Sequence, residues 1–124
     1  MIELIDKKQL ETRLKRLKET RKTLHKLSKQ GHPRGLSTLE KAELKRYDGW
    51  LVLKCKELDN LLKHGEKLLK LSKGAGAVEM QESFNLQYLQ LQQDMQQQNR
   101  QFTMISNIMK VKHDTARSAI NNIR

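Results

Sequence analysis

Apolar residues recur through the C-terminal part of the chain at alternating steps of four and three. Residues 79–124 contain no Gly and no Pro, and the apolar seam turns polar only at Gln98 and Lys112. A sustained 4-3 spacing keeps a narrow stripe on one side of an α-helix, which is the coiled-coil pattern. The pattern predicts one long helix whose seam residues are Phe84, Tyr88, Leu91, Met95, Phe102, Ile105, Met109, Ala116, Ala119 and Ile123.

This predicted helix is too long to bury its own seam. Forty-five residues would extend about 67 Å at ~1.5 Å per residue. A second apolar row widens the stripe and indicates more than one neighbouring helix; it consists of Leu89, Ile108, Val111 and Ile120. We therefore predict that the helix contacts other helices, and that charging Ile105 or Met109 would abolish self-association.

Two amphipathic helices are predicted before this seam. The first begins near Asp6 and ends at Gly31, and the second follows Ser37, whose capping-box partner is Glu40, and continues to about Lys73. Two amphipathic helices joined by a short turn normally fold back as an antiparallel hairpin. The sequence thus predicts an all-α fold, in which a basic antiparallel helical hairpin precedes a long coiled-coil-type C-terminal helix.

A Gly/Ala linker at residues 74–78 divides the chain into two predicted domains. Residues 1–73 are rich in Lys and Leu, whereas residues 79–124 are rich in Gln and Met. Such a shift in composition indicates a boundary between the hairpin and the assembly helix. A natural domain boundary and a join between two fused proteins both fit this pattern.

Positive charge is concentrated in the hairpin. The net charge is +11, and residues 1–75 carry 20 Lys or Arg against 10 Asp or Glu. Such a surface can bind nucleic acid, an anionic membrane surface or an acidic protein, although a solvated helix face is the simpler interpretation. The candidate phosphate contacts are Lys7, Lys8, Arg13, Lys15, Arg16, Lys18, Arg21, Lys22 and Lys26. A salt titration of binding to random duplex would test this hypothesis.

No motif for catalysis, cofactor binding or metal binding is recognisable. The four His residues share no metal-ligand spacing, and there is neither a Gly-rich phosphate loop nor a nucleophile motif. We therefore predict a protein that is not an enzyme and has no cofactor or metal. Cys55 and Trp50 are interpreted as core residues, with an interface anchor as the alternative for Trp50.

The compartment is predicted from the cysteine content and from hydropathy. A single cysteine fits a reducing compartment, although it does not require one. No run of ~18 apolar residues exists, so we expect no membrane-spanning helix. The first residues lack a basic segment followed by a long apolar one, so we expect no cleaved secretory signal.

The last nineteen residues, SNIMKVKHDTARSAINNIR, resemble the carboxyl-terminal helix of type III secretion needle subunits. The matching positions are Ser106, Asn107, Lys110, Val111, Asp114, Ile120, Asn122 and Arg124. In that family this helix lines the inside of a helical tube, and the end of the chain is critical for polymerisation. The resemblance implies that Lys110, Asp114, Asn122 and Arg124 face the lumen or another subunit. For Lys110 and Asp114, a surface ion pair is the simpler interpretation.

Together, these patterns predict a non-enzymatic structural or assembly component of a bacterial type III secretion system. It would be a needle-, rod- or filament-like subunit that acts by helix–helix packing of its C-terminal helix. The alternatives are a secretion chaperone or regulator that holds a partner helix, and a helical nucleic-acid-binding module. The expected partner is a second copy or another helical protein, in the bacterial cytoplasm and with export through the apparatus as an option. The predicted contacts are Phe84, Tyr88, Leu91, Met95, Phe102, Ile105, Met109, Ile120, Ile123, Lys110, Asp114, Asn122 and Arg124.

Overall fold

The computed structural model describes residues 7–71 and 77–123, and within these ranges it consists of helices and the loops that join them, with no strand. The all-helical prediction is confirmed. The predicted N-cap at Asp6, residues 74–76 of the predicted linker and Arg124 lie outside the described residues. The helices are α1 (Lys7–Ser28), α2 (Thr38–Lys70), α3 (Ala77–Arg100), α4 (Thr103–Ile108) and α5 (Lys110–Asn121).

α2 begins at the capping box expected from the sequence. The backbone N–H of Glu40 donates to Ser37 Oγ at 3.2 Å, and the backbone N–H of Ser37 donates to Glu40 Oε1 at 2.9 Å. Two N–H groups that would otherwise lack helical partners are thereby satisfied. The predicted start of this helix is confirmed, whereas its end lies at Lys70 rather than about Lys73.

α1 and α2 lie side by side and run in opposite directions. Arg21 forms an ion pair with Asp59 at 3.1 Å, and Lys18 lies 3.9 Å from Glu66, so later residues of α1 meet earlier residues of α2. These contacts place α1 beside the second half of α2. The first half of α2 instead contacts the loop between α1 and α2 and the end of the chain. The residues of α1 that are buried are Leu10, Leu14, Leu17, Thr20, Leu24 and Leu27.

Gly65 of α2 marks a close approach between three helices. A Cβ atom at this position would lie 2.8 Å from Cε2 of Phe84 in α3 and would also collide with Cδ2 of Leu14 in α1. The missing side chain therefore lets α1 and α3 approach the same turn of α2. Helix propensity alone would favour Ala here by about 1 kcal/mol, so it is the close packing that requires glycine.

We expect Gly65→Ala to lower the free energy of unfolding by about 1–3 kcal/mol, because the extra methyl group overpacks this contact. Gly49→Ala in the same helix is the matched control, since no atom lies within 4 Å of its added Cβ. That variant should raise the free energy of unfolding by up to about 1 kcal/mol. Urea denaturation followed by circular dichroism measures both values. Equal effects of the two substitutions would contradict the packing around Gly65.

The prediction of one unbroken C-terminal helix over 79–124 is wrong. α3 ends at Arg100, and the backbone leaves helical geometry at Phe102 (φ −87°, ψ 61°) and again at Met109 (φ −135°, ψ 70°). The two breaks lose a few backbone hydrogen bonds, each worth about 0.5–1.5 kcal/mol net. They allow Phe102, Ile105 and Ile120 to become buried, and each such side chain contributes about 1.5–3 kcal/mol. Burial therefore outweighs helix continuity.

The end of the chain folds back on the first three helices. α3 runs antiparallel to α2, since Phe84 contacts His64 near one end and Gln98 contacts Trp50 near the other. α5 returns beside α3 and reaches α1, where Thr20 Oγ1 donates to the carbonyl of Ala119 at 2.9 Å. One hydrophobic cluster joins α1, α2, α3 and the C-terminal residues. None of the described helices is long and apolar enough to cross a bilayer.

Candidate functional site

An aromatic cluster on α2 packs against Phe102, which lies at the break between α3 and α4. Tyr47 and Trp50 stack with ring centroids 5.6 Å apart, and Phe102 lies edge-on against Tyr47 at 4.8 Å and 5.5 Å from Trp50. The guanidinium of Arg46 lies 5.1 Å from the centroid of Phe102. Phe102 is thus enclosed by three side chains of α2, which explains why the chain turns there. We call residues 46–50 of α2 the docking site, and residues 101–123 the C-terminal segment.

The two polar positions of the predicted seam bind the docking site. Trp50 Nε1 donates to Gln98 Oε1 at 2.7 Å, and Lys112 Nζ donates to Asp48 Oδ1 at 2.6 Å. Polar residues in an apolar seam specify register because an incorrect alignment leaves them unpaired. Gln98 and Lys112 therefore determine the register in which the end of α3 and the C-terminal segment pack on α2.

Lys112 belongs to a partly buried group of three ionisable side chains. Its own side chain has no exposed surface, and that of Asp48 is 20% exposed. The second carboxylate oxygen of Asp48 lies 2.8 Å from Nε2 of His32, in the loop between α1 and α2. Removal of two charges from water costs about as much as their attraction returns, so such a pair contributes more to a unique arrangement than to net stability.

A second polar group links α2, α3 and α5 through Asn99. The hydroxyl of Tyr47 donates to Asn99 Oδ1 at 2.6 Å, and Nε2 of His113 lies 2.8 Å from the Asn99 carbonyl oxygen, to which it donates. Burial raises the pKa of Tyr47, and the nearby charge of Asp48 raises it further. The phenol therefore remains a hydrogen-bond donor throughout the neutral range. Asn99 thus joins three helices at the end of α3.

The apolar residues predicted as assembly contacts lie in or against the core of the same chain. Buried are Phe84, Tyr88, Met95, Phe102, Ile105, Ile120 and Ile123, whereas Leu91 and Met109 are partly buried. In this conformation, residues of α1 and α2 cover several of them. Contacts of these residues with another chain remain a prediction.

The polar residues singled out by resemblance lie elsewhere. Lys110 and Asn122 are exposed, and Asp114 is half-buried with Arg117 3.8 Å away. None of these three belongs to the docking site, and Arg124 is outside the described ranges. The second apolar row is also divided, since Ile120 is buried whereas Val111 is 79% exposed and Leu89 is 47% exposed.

Sequence reasoning missed the α2 side of this arrangement. Tyr47 and Asp48 were not identified because their partners lie more than 50 positions away in the chain. Trp50, interpreted as a core residue of the hairpin, is half-buried and binds α3 and Phe102 instead. The signal available in the sequence was the pair of polar positions in the apolar seam, Gln98 and Lys112. A single long helix offers no structural role for these two residues.

Metal-binding groups and the cysteine were the candidate chemistry among the described residues. No group of three His, Cys, Asp or Glu side chains within 7–71 and 77–123 could hold a metal ion. Cys55 is buried and free, its Sγ lies 3.5 Å from the Arg21 carbonyl, and burial raises the pKa of its thiol. A raised pKa keeps the thiol protonated and poorly nucleophilic. The chain has no match among protein-family models, curated proteins or solved structures.

Proposed function

We propose that this protein is a non-enzymatic helical assembly component of a bacterial type III secretion system, whose basic hairpin shelters its own needle-like C-terminal segment. One observation supports the proposal above all. The segment that resembles the needle helix is folded back on α1 and α2 over residues 106–123, with Ile120 fully buried. An exposed seam of this kind would pair with any similar helix. Intramolecular burial keeps the chain unassembled in the cytoplasm.

Assembly would proceed by straightening of the C-terminal part. The 4-3 spacing of apolar residues continues through both breaks, at Phe102 and Met109, although neither lies within a helix here. A helix that became continuous through these positions would carry one seam over 79–124, which packs against other copies. Neighbouring subunits would then replace the contacts that α1 and α2 provide, so a high local concentration of subunits favours the straight form.

The chaperone hypothesis would place a separate partner helix at the same docking site. The docking site is already occupied by Phe102 and Lys112 of its own chain. A separate partner helix would have to displace this segment, and a tethered segment has a high effective concentration. The geometry therefore favours a hairpin that serves its own chain over one that holds a different protein.

Cleavage between the two parts tests the proposal. A protease site inserted at residues 74–76 frees the C-terminal part from its tether, and we expect light scattering to rise after cleavage as fragment 77–124 assembles into helical polymers. The matched control carries the same site in the loop at residues 29–37, where cleavage leaves the C-terminal segment joined to α2. Its scattering should stay constant. A released fragment that remains monomeric at all concentrations would remove the proposed function.

A further inference from the structure

The outer face of α3 is uncharged over about three turns and carries two exposed leucines. Leu86 is 58% exposed and Leu89 is 47% exposed. They lie within residues 83–93, the longest stretch of the sequence without a charged residue. The other exposed residues of this stretch are Ser83, Gln87, Gln90 and Gln93, in a chain of which 31% of the residues are charged. An apolar pair within a neutral surface is typical of a contact surface rather than of a solvated face.

The net charge of the chain affects which partner can bind the outer face of α3. Two copies of a chain with net charge +11 repel each other wherever their lysine-rich surfaces meet. The repulsion is weakest where both surfaces are neutral, and the outer face of α3 meets this condition. Gln side chains can also donate to and accept from one another across such a contact. A second copy of this chain, presenting the same face, is therefore the fitting occupant.

The charges at the two ends of α3 determine the direction of pairing. Glu79 and Glu82 are exposed near the start of the helix, and Arg100 is exposed at its end. A parallel pair would bring the carboxylates of the two copies together. An antiparallel pair centred on Leu86 and Leu89 brings Arg100 of each copy within about one helical turn of the other copy's Glu79.

We propose that folded copies of this chain form a two-fold symmetric dimer through the outer faces of α3, in antiparallel orientation and with Leu86 and Leu89 at the centre. The same patch on both subunits meets itself, as a two-fold axis requires. A single pair of helices makes a small interface, so the dimer is weak and depends on concentration. The proposal rests on the self-association in the proposed function and names the surface used before the C-terminal segment undocks.

This surface is distinct from the seam. Phe84, Tyr88 and Met95 point to the core and are fully buried, whereas Leu86 and Leu89 lie on the other side of the same helix. Pairing through the outer face therefore leaves the C-terminal segment docked. Subunits held in this way are close together when their segments straighten.

Sedimentation velocity of the full chain tests the dimer. From about 1 to about 500 µM, the weight-average mass should rise from 14.6 kDa towards twice that value. Leu86→Gln combined with Leu89→Gln should raise the dissociation constant at least about tenfold without changing the melting temperature, since both side chains are exposed. Leu39→Gln combined with Val111→Gln is the matched control, because these residues are 74% and 79% exposed elsewhere and should leave the dissociation constant unchanged.

Charge exchange tests the orientation. Arg100→Glu alone should weaken the dimer, and addition of Glu79→Arg should restore it, since each end of the contact again holds opposite charges. A chain that stays monomeric throughout the concentration range, equal effects of the two leucine pairs, or a charge exchange that restores nothing would each overturn the proposal. A chain that dimerises here but does not assemble after cleavage at 74–76 would support this dimer and remove the proposed function.

Discussion

Ile105→Asp should lower the free energy of unfolding by more than about 3 kcal/mol, because it places an unpaired carboxylate in the core. The Ile105 side chain has no exposed surface and lies in the hydrophobic cluster that joins the C-terminal segment to α1, α2 and α3. The variant loses the burial of an isoleucine and must also desolvate a charge or undock α4. Urea denaturation followed by circular dichroism and by Trp50 fluorescence measures the change.

Val111→Asp is the matched control for this substitution. Val111 lies six residues further along the same segment and is 79% exposed, so its replacement should change the free energy of unfolding by less than about 0.5 kcal/mol. Sequence reasoning predicted only that a charge at residue 105 would abolish self-association. The structure adds that the monomer itself should be destabilised. Wild-type stability of Ile105→Asp would mean that this residue is not buried within its own chain.

Asp48→Asn should lower the free energy of unfolding by about 3–5 kcal/mol, because it leaves the ammonium group of Lys112 buried without its counter-charge. The Lys112 side chain has no exposed surface, and its Nζ lies 2.6 Å from Oδ1 of the carboxylate whose negative charge the substitution removes. Addition of Lys112→Met should recover most of the loss, since no buried charge remains. A double-mutant cycle on urea denaturation gives the coupling between the two residues.

Glu66→Gln is the control for loss of an ion pair as such. Glu66 lies on the same helix and contacts Lys18 at 3.9 Å, with both side chains more than half exposed. Exposed pairs of this kind contribute about 0–1 kcal/mol, so this variant should be close to wild type. If Asp48→Asn were equally mild and showed no coupling to Lys112→Met, α5 would not be held on α2 by the buried pair.

Local sequence signals were sufficient to predict features whose contacts join residues only a few positions apart. The capping box of Ser37 and Glu40 marked the start of α2 correctly, because both its hydrogen bonds join residues three apart. The leucines of α1 likewise recur at helical spacing, and those that become buried are Leu10, Leu14, Leu17, Leu24 and Leu27. Such features depend on helical geometry alone, and they are the same in any all-helical arrangement of this chain.

The interruption of the C-terminal helix had no local signal. Residues 100–110 contain neither Gly nor Pro, and their apolar spacing is that of a continuous helix. Phe102 leaves the helix because Tyr47 and Trp50, about 50 positions earlier, form an aromatic cluster that receives it. Gln98 and Lys112 were visible in the sequence as polar positions in an apolar seam. Nothing in the sequence marked their partners on α2.

The sequence by itself determined that this protein is helical, where α2 begins, and which residues must find apolar surroundings. Only the tertiary structure decided that, in this conformation, α1 and α2 of the same chain provide these surroundings. The physical reason is that periodicity specifies which face of a helix is buried but carries no information about what covers it. That choice depends on the free energy of distant contacts, here the burial of Phe102, Ile105 and Ile120, which exceeds the cost of two breaks in the helix.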